Sequence, residues 1–429
     1  MAESDKLRVA VIGAGIAGLA AAIALQRHHG IDVQIYERAT ELKEIGASIA
    51  LGPNGMKALE RLGVHEALDD ELAFRNSSGY PMVYRHWKTN EVISVDQHHG
   101  EIEYRYRTSR FYRAHLQQAL VAHVKPETIH LKKAFQFVAS LPDTEELQIT
   151  FTDGSTAAAD VLLGADGIQS AVRRSFVPSS APKWTGWVAF RSVFDTQLVS
   201  HIPGVLDEAY HWWGPERTFF SSKLGKDQFT IVGGNYTDPN APDAPFRDAT
   251  WNSDGDLAVF KDYYKDWHPA IRQMIDASPY TRLYPNTFAS SLDTWVHGDG
   301  QVTYAGDAAH AHGGAFAAGG SLALDDAWAF ARAILTAYPP GSPKPSKADI
   351  TGALRLYEAT RKPHTDRVLN TVHANNENAI KRLGMAETDE QLRERMKKRA
   401  DPYWIHEHDV DKVFEQVLAE NTQVSQARL

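Results

Sequence analysis

The sequence predicts an α/β protein with a second, β-rich domain interleaved in it and helices towards its C-terminal end. Three observations carry this. Residues 7–36 read strand, helix, strand. Two later apolar runs, ending at Gly164 and Ala305, each lead into a turn holding glycine and aspartate. Between Lys183 and Asn235 lies a stretch rich in β-branched and aromatic residues, and past a proline-rich linker the chain turns charged and helical.

Leu7 to Ile12 (Leu-Arg-Val-Ala-Val-Ile) has the composition of a buried parallel strand. Gly13-Ala14-Gly15-Ile16-Ala17-Gly18 follows, a G-x-G-x-x-G. Gly13 suits a tight turn, Gly15 lets backbone approach a pyrophosphate, and Gly18 lets the next helix close on the strand. That helix is predicted over Leu19 to Arg27, where alanine and leucine dominate. Its N-terminus exposes unpaired N–H groups suited to phosphate. Val33 to Tyr36 is a second strand, closed by Glu37, placed to accept hydrogen bonds from ribose hydroxyls. The pattern predicts a dinucleotide site and leaves NAD and FAD open. A carboxylate on the ribose argues against the 2′-phosphate of NADP there.

Gly46 and Ala47 would let backbone come close to a flat ligand, and Pro53 opens a helix over Met56 to Leu62. Phe74 to Tyr106 reads as a first excursion into the second domain. Arg113 opens a helix over Ala114 to Val124, where it is either solvated or directed at ligand phosphates. Ile129–Leu131, Phe135–Ser140 and Leu147–Phe151 read as antiparallel strands, with Asp153-Gly154 as a hairpin turn. Asp166 lies between Gly164 and Gly167; it is either a helix cap or part of a ligand turn. Trp184 to Phe220 suggests an antiparallel sheet with an aromatic face, most of it ordinary core. Leu257 to Ile275 is helical with a break at His268-Pro269. Gly306-Asp307-Ala308-Ala309-His310 and the glycine-rich run 313–320 precede a helix over Ser321 to Leu335. Residues 339–345 are a linker, and Glu390 to Arg399 is expected to be a solvated helical face.

With 429 residues the chain can hold two or three domains, and its net charge of −9 gives no case for nucleic acid or an anionic membrane surface. No apolar run is long enough to span a bilayer, and the polar N-terminus does not read as a signal peptide. Without cysteine there are no disulfides or cysteine-held metals, and the nineteen histidines form no metal motif, so no metal is expected. The expected location is cytoplasmic. The terminal Ala427-Arg428-Leu429 resembles a peroxisomal address, which would apply in a eukaryotic cell.

The three motifs in this order, Gly13-x-Gly15-x-x-Gly18, Gly164-Ala165-Asp166-Gly167 and Gly306-Asp307-Ala308-Ala309-His310, resemble the FAD-dependent single-component aromatic hydroxylases, the salicylate and 4-hydroxybenzoate hydroxylase family. The resemblance covers residues 7 to 370. It implies a Rossmann-like FAD-binding domain in three parts (1–73, 107–176 and 291–338), a substrate domain in two (74–106 and 177–290), and a C-terminal helical region (346–429). It implies FAD held by Gly13, Gly15, Ala17, Gly18, Glu37, Arg38, Gly46, Ala47, Arg113, Asp166, Gly306, Asp307, Ala318 and Gly319, with Glu37 on the adenosine ribose and Asp307 on the ribityl or pyrophosphate part. NAD(P)H would bind transiently as co-substrate. One departure stands out: the family's proline and Gly-x-Gly after the histidine are replaced here by Gly314 and Ala317-Ala318-Gly319.

The implied reaction inserts one atom of O₂ into a small phenolic or hydroxybenzoate-type ring, with loss of CO₂ if the attacked carbon carries a carboxylate. The flavin carries the hard chemistry and the protein supplies position and electrostatics. A base that makes the phenolate would help, and His211, His312 and Tyr236 are the candidates. Arg191 would either hold a substrate carboxylate or form a structural ion pair. A flavoprotein dehydrogenase or oxidase without oxygen insertion, and a non-catalytic FAD-binding protein, are the alternatives. Monomer and homodimer both stay open.

Overall fold

The computed structural model describes residues 6–42, 47–141 and 144–427. Its first sheet has five parallel strands in the order Val302–Tyr304, Val161–Gly164, Leu7–Ile12, Ile31–Tyr36 and Ile129–His130. The central strands are apolar almost throughout because both faces are covered. The helix Ile16–Leu25 is buried at all ten positions. Its alanines let the helix Gly319–Ala337 pack close beside it.

Ile129–His130 differs from the antiparallel expectation: it pairs parallel with Ile35–Tyr36. The helix Arg113–Ala122 precedes it, and a helical crossover returns the chain in the direction it left. Phe135–Ser140, Leu147–Phe151 and Thr156–Ala159 form a separate antiparallel sheet, with Gly154 at φ +81° in the hairpin turn.

The second large sheet has eight strands, ordered Ser253–Asp254, Arg282–Phe288, Lys183–Asp195, Gln228–Tyr236, Arg217–Lys223, Tyr210–Trp213, Val83–His86 and Val92–Val95. Tyr210–Trp213 runs parallel to Val83–His86; the other pairs are antiparallel. The period of two sorts its side chains onto two faces. Phe190, Trp212, Phe219 and Ile231 pack under the helices Leu257–Tyr263 and Pro269–Ala277. Ala189, Phe220, Val232 and Tyr284 lie on the other face. That face meets the parallel-sheet domain, where Thr230 Oγ1 donates to Ser48 Oγ at 3.3 Å.

The C-terminal helices close the molecule. Lys347–Lys381 lies along Gly319–Ala337, and Val410–Ala427 returns against it. The charged helix Asp389–Lys397 is not solvated all round: Leu392 and Met396 are buried against Tyr84, while Arg393 pairs outward with Glu91. Beyond it Arg399 pairs with Asp96, and His99 bridges Asp401 and Glu407. Among the described residues no helix is long and apolar enough to cross a membrane.

Candidate cofactor and substrate site

The glycines of the first turn divide by what a side chain would meet. A Cβ on Gly13, at φ +108°, would collide with the carbonyl of Ala165, and one on Gly18 with the carbonyl of Gly13. Both are required by the fold. Gly15 has an ordinary φ of −77°, and a Cβ there meets nothing within 4 Å. It stands at the start of the Ile16–Leu25 helix, which has no side-chain cap, so the first N–H groups are left for a ligand. Glu37 holds this turn from the end of the second strand. Its Oε2 accepts from the Ala14 N–H and its Oε1 from the Ala39 N–H, each at 2.8 Å. Each oxygen keeps a lone pair for a further donor. Arg38 is exposed beside it. Gly46 lies outside the described residues; Ala47 is buried, and its carbonyl accepts from the Arg113 N–H at 2.9 Å.

The other two motifs converge on the first. Gly13 abuts Ala165 and Asp166, and a Cβ on Gly306 would lie 3.3 Å from that of Ala17. Asp166 Oδ2 accepts from the N–H groups of Ala171 and Val172 at 2.7 and 3.2 Å, so it does cap the short helix Ala171–Phe176 together with Ser170. Its Oδ1 is buried without a partner. Asp307 is exposed on the turn that Gly306 opens at φ +60°. The following loop runs through the left-handed region, with φ between +52° and +71° at Gly313, Gly314, Phe316 and Ala317, a conformation that strains Phe316 and Ala317 but not the glycines. Ala318 is fully buried and Gly319 opens the long helix, 3.6 Å (from its would-be Cβ) from Nε2 of His312.

The three base candidates do not share one place. His312 is buried with neither ring nitrogen hydrogen-bonded, and burial pushes it down to about 4. His211 lies on the sheet face turned to the first domain, ringed by Tyr84, Trp213 and Phe220; burial, then Arg399, bring it down to about 4. Tyr236 is at the far end of its strand beside Trp187, and burial raises its phenol. Register places the backbones of His211 and Tyr236 roughly 16 Å apart, two strands over and four residues along. One small ring cannot engage both at a single hydroxyl.

Arg191 shares that face, over the Tyr284 ring at 5.4 Å. No carboxylate pairs with it among the described residues, and its Nε is buried without a partner. Burial lowers its pKa, Tyr284 opposes this, and the nearby charge of Arg113 adds to it.

Sequence reasoning did not reach the polar network behind the third turn. Asp326 Oδ2 accepts from the Gly306 N–H at 2.8 Å and from His310 Nε2 at 2.5 Å, while Oδ1 accepts from Arg361 Nε at 2.8 Å. Asn54 donates to Asp325 Oδ2 at 2.8 Å. The two aspartates are visible in the sequence as a pair on a helix, but nothing local marks Arg361 as their partner.

A parallel sheet whose glycine turn opens onto an uncapped helix, with an acidic residue closing the next strand, defines a dinucleotide-binding protein. The open space at Gly15 and the convergence of the other two turns on it fit FAD. Residues 6–212 match the FAD binding domain family. The chain is 31% identical to the 3-amino-4-hydroxybenzoate 2-monooxygenase of Streptomyces cremeus, over 86% of each chain. It is 30% identical to a salicylate hydroxylase of Pseudomonas putida, over 94% of each. A solved salicylate hydroxylase substrate complex superposes with a TM-score of 0.78 at 23% identity, covering 97% of this chain and 98% of that one. The chain belongs to the FAD-dependent aromatic hydroxylases.

Proposed function

We propose that this chain hydroxylates a small, planar aromatic acid that also carries a ring hydroxyl, with NAD(P)H as reductant. One O₂ and one NAD(P)H, with a proton, give the hydroxylated ring, water and NAD(P)⁺. The observation that carries the substrate class is Arg191, a guanidinium with no carboxylate partner among the described residues, on the aromatic face turned to the FAD domain. The residue is half-buried with its Nε enclosed and unpartnered, so part of the cation has lost its hydration, and a bound carboxylate would relieve that cost. The named relatives, a salicylate hydroxylase and an aminohydroxybenzoate monooxygenase, support the same class.

The residues that would hold FAD are the Gly13–Gly18 turn and helix N-terminus at the pyrophosphate, Glu37 at the ribose, and Arg113, Asp166 and the Gly306–Asp307 turn around the remainder. Bound flavin, reduced by NAD(P)H, would activate O₂ and so supply an electrophilic oxygen. Phe220, Val232 and Tyr284 offer apolar surface to the ring, and His211 a hydrogen bond to its hydroxyl. If the carboxylate sits on the attacked carbon it leaves as CO₂; at any other position it stays.

Salicylate, 3-hydroxybenzoate and phenol under ¹⁸O₂ test the proposal. Label in the product with NAD(P)H oxidation stimulated by the acids supports it. Peroxide equal to the substrate oxidised, with no labelled product, would make the protein an oxidase.

A further inference from the structure

Four groups behind the Gly306–Asp307 turn are almost wholly buried: Asp325, Asp326, Arg361 and His310. They come from distant parts of the chain. The aspartates sit in the first half of the Gly319–Ala337 helix, Arg361 in the middle of the 35-residue helix Lys347–Lys381, and His310 at the end of the turn itself. Burial works to raise the carboxyl of Asp326, but His310 and Arg361 overcome this and hold it well below the usual carboxylate range. Asp325, 3.9 Å from the guanidinium, is pushed up by burial to about 6. Arg361 therefore serves Asp326 first.

A buried ion pair is a poor source of stability, because desolvation offsets most of the attraction. What distinguishes this pair is what it holds. Three donors converge on the two oxygens of Asp326: a backbone N–H, an imidazole N–H and a guanidinium N–H. The backbone N–H belongs to Gly306, whose φ of +60° starts the turn, and whose carbonyl accepts from the N–H of both Ala309 and His310. His310 must carry its proton on Nε2, and its Nδ1 has no partner. The turn is thus pinned at its first amide and at its last side chain by one carboxylate. Asp307 lies between these points and faces outward.

We propose that Asp326 is a positioning residue for FAD: it fixes the Gly306–Asp307 turn in the conformation that presents Asp307 and the turn's backbone to the cofactor, and Arg361 keeps it charged for that role. This rests on the reading that the turn touches FAD. Asparagine cannot replace it. An amide offers one acceptor oxygen and one donor nitrogen, so in either orientation its NH₂ group faces an N–H that needs an acceptor.

The test uses apoprotein and titrates FAD by fluorescence quenching, alongside the apoprotein Tm and the visible circular dichroism of bound flavin. Asp326→Asn should weaken FAD binding at least tenfold and alter the flavin dichroism. The double variant Asp326→Asn/Arg361→Met removes the pair together. It should recover much of the Tm lost by the single variant, because without Arg361 burial pushes the Asp325 carboxyl further up and it takes a proton, so no charge stays buried, yet FAD binding should stay weak. A purely structural role predicts the opposite, recovery of both. That result, or an FAD affinity within twofold of the parent in Asp326→Asn, overturns the proposal. Failure of both variants to fold would assign Asp326 to the fold alone and overturn it too. Asp307→Ala separates the underlying reading: unchanged FAD affinity there means the turn does not touch the cofactor, whereas weakened binding in Asp307→Ala with normal binding in Asp326→Asn refutes only the positioning role.

Discussion

The indole N–H of Trp213 donates to Nδ1 of His211 at 3.2 Å, two residues back on the same strand. The neutral ring must therefore carry its own proton on Nε2. With its pKa brought down to about 4, the ring is neutral at pH 7, and its free nitrogen is a donor. A donor on the substrate oxygen stabilises a phenolate without removing a proton itself. His211→Gln, whose oxygen can accept from Trp213 and whose NH₂ can donate, should keep kcat/KM within about tenfold, while His211→Ala loses on the order of 10²–10³. Equal losses in both, recovered at high pH, would restore the general-base reading.

Arg191→Met should raise KM for a carboxylated ring by roughly 30- to 100-fold, as expected for one lost charge-assisted hydrogen bond, and leave KM for phenol unchanged. Steady-state kinetics on the two substrates check this. Equal losses on both would tie Arg191 to the flavin or to the fold.

Gly15→Val should give folded, colourless protein, because a side chain there meets no protein atom within 4 Å and would stand in the proposed pyrophosphate path. Gly13→Val and Gly18→Val should fail to fold, since each would strike backbone. Far-ultraviolet dichroism and flavin absorbance separate the cases. Yellow Gly15→Val protein would misplace the cofactor.

His312 and His406 are buried and brought down to about 4 by desolvation. An unfolded imidazole titrates near 6.5. Between those values the unfolded chain binds more protons than the folded one. The stability they represent is complete above about pH 6.5 and is lost as pH falls towards 4. Integrated over that interval, each contributes at most roughly 3 kcal/mol. Calorimetry of the apoprotein should show Tm falling from pH 6.5 to 4.5, less steeply in His312→Asn.

The strained loop offers a stability test. Ala317 holds φ at +52°, which costs an alanine about 1 kcal/mol that glycine does not lose. Ala317→Gly should raise the urea midpoint of the apoprotein slightly; a decrease would mean the backbone there is unstrained.

The sequence made legible whatever is enforced locally. The G-x-G-x-x-G turn, the strands on either side and Glu37 are constrained within residues 7–37, so spacing alone places them. The direction of Ile129–His130 is not legible in the sequence, because two extended residues carry no sign of their partner; the preceding helix decides it. The tautomer of His211 depends on Trp213, near in sequence but decisive only once the strand turns both rings to one face. The partnership of Asp326 and Arg361 spans thirty-five positions between two helices and leaves no local pattern. At Arg191 the sequence allows a ligand contact or an ion pair, and the structure brings no carboxylate to it among the described residues.

The convergence of Gly13, Ala165 and Gly306 has a bearing on biosynthesis. The parallel sheet takes its edge strand from Val302–Tyr304, far from its centre at Leu7–Ile12, and the turn that meets Ala17 comes after it. A nascent chain that has emerged only to residue 212 carries two of the three turns and the whole matched FAD domain segment, yet lacks that strand. With the Gly306–Asp307 turn holding FAD as proposed, cofactor loading waits until most of the chain has left the ribosome, and cutting the protein at the family boundary yields a fragment that lacks the edge strand Val302–Tyr304.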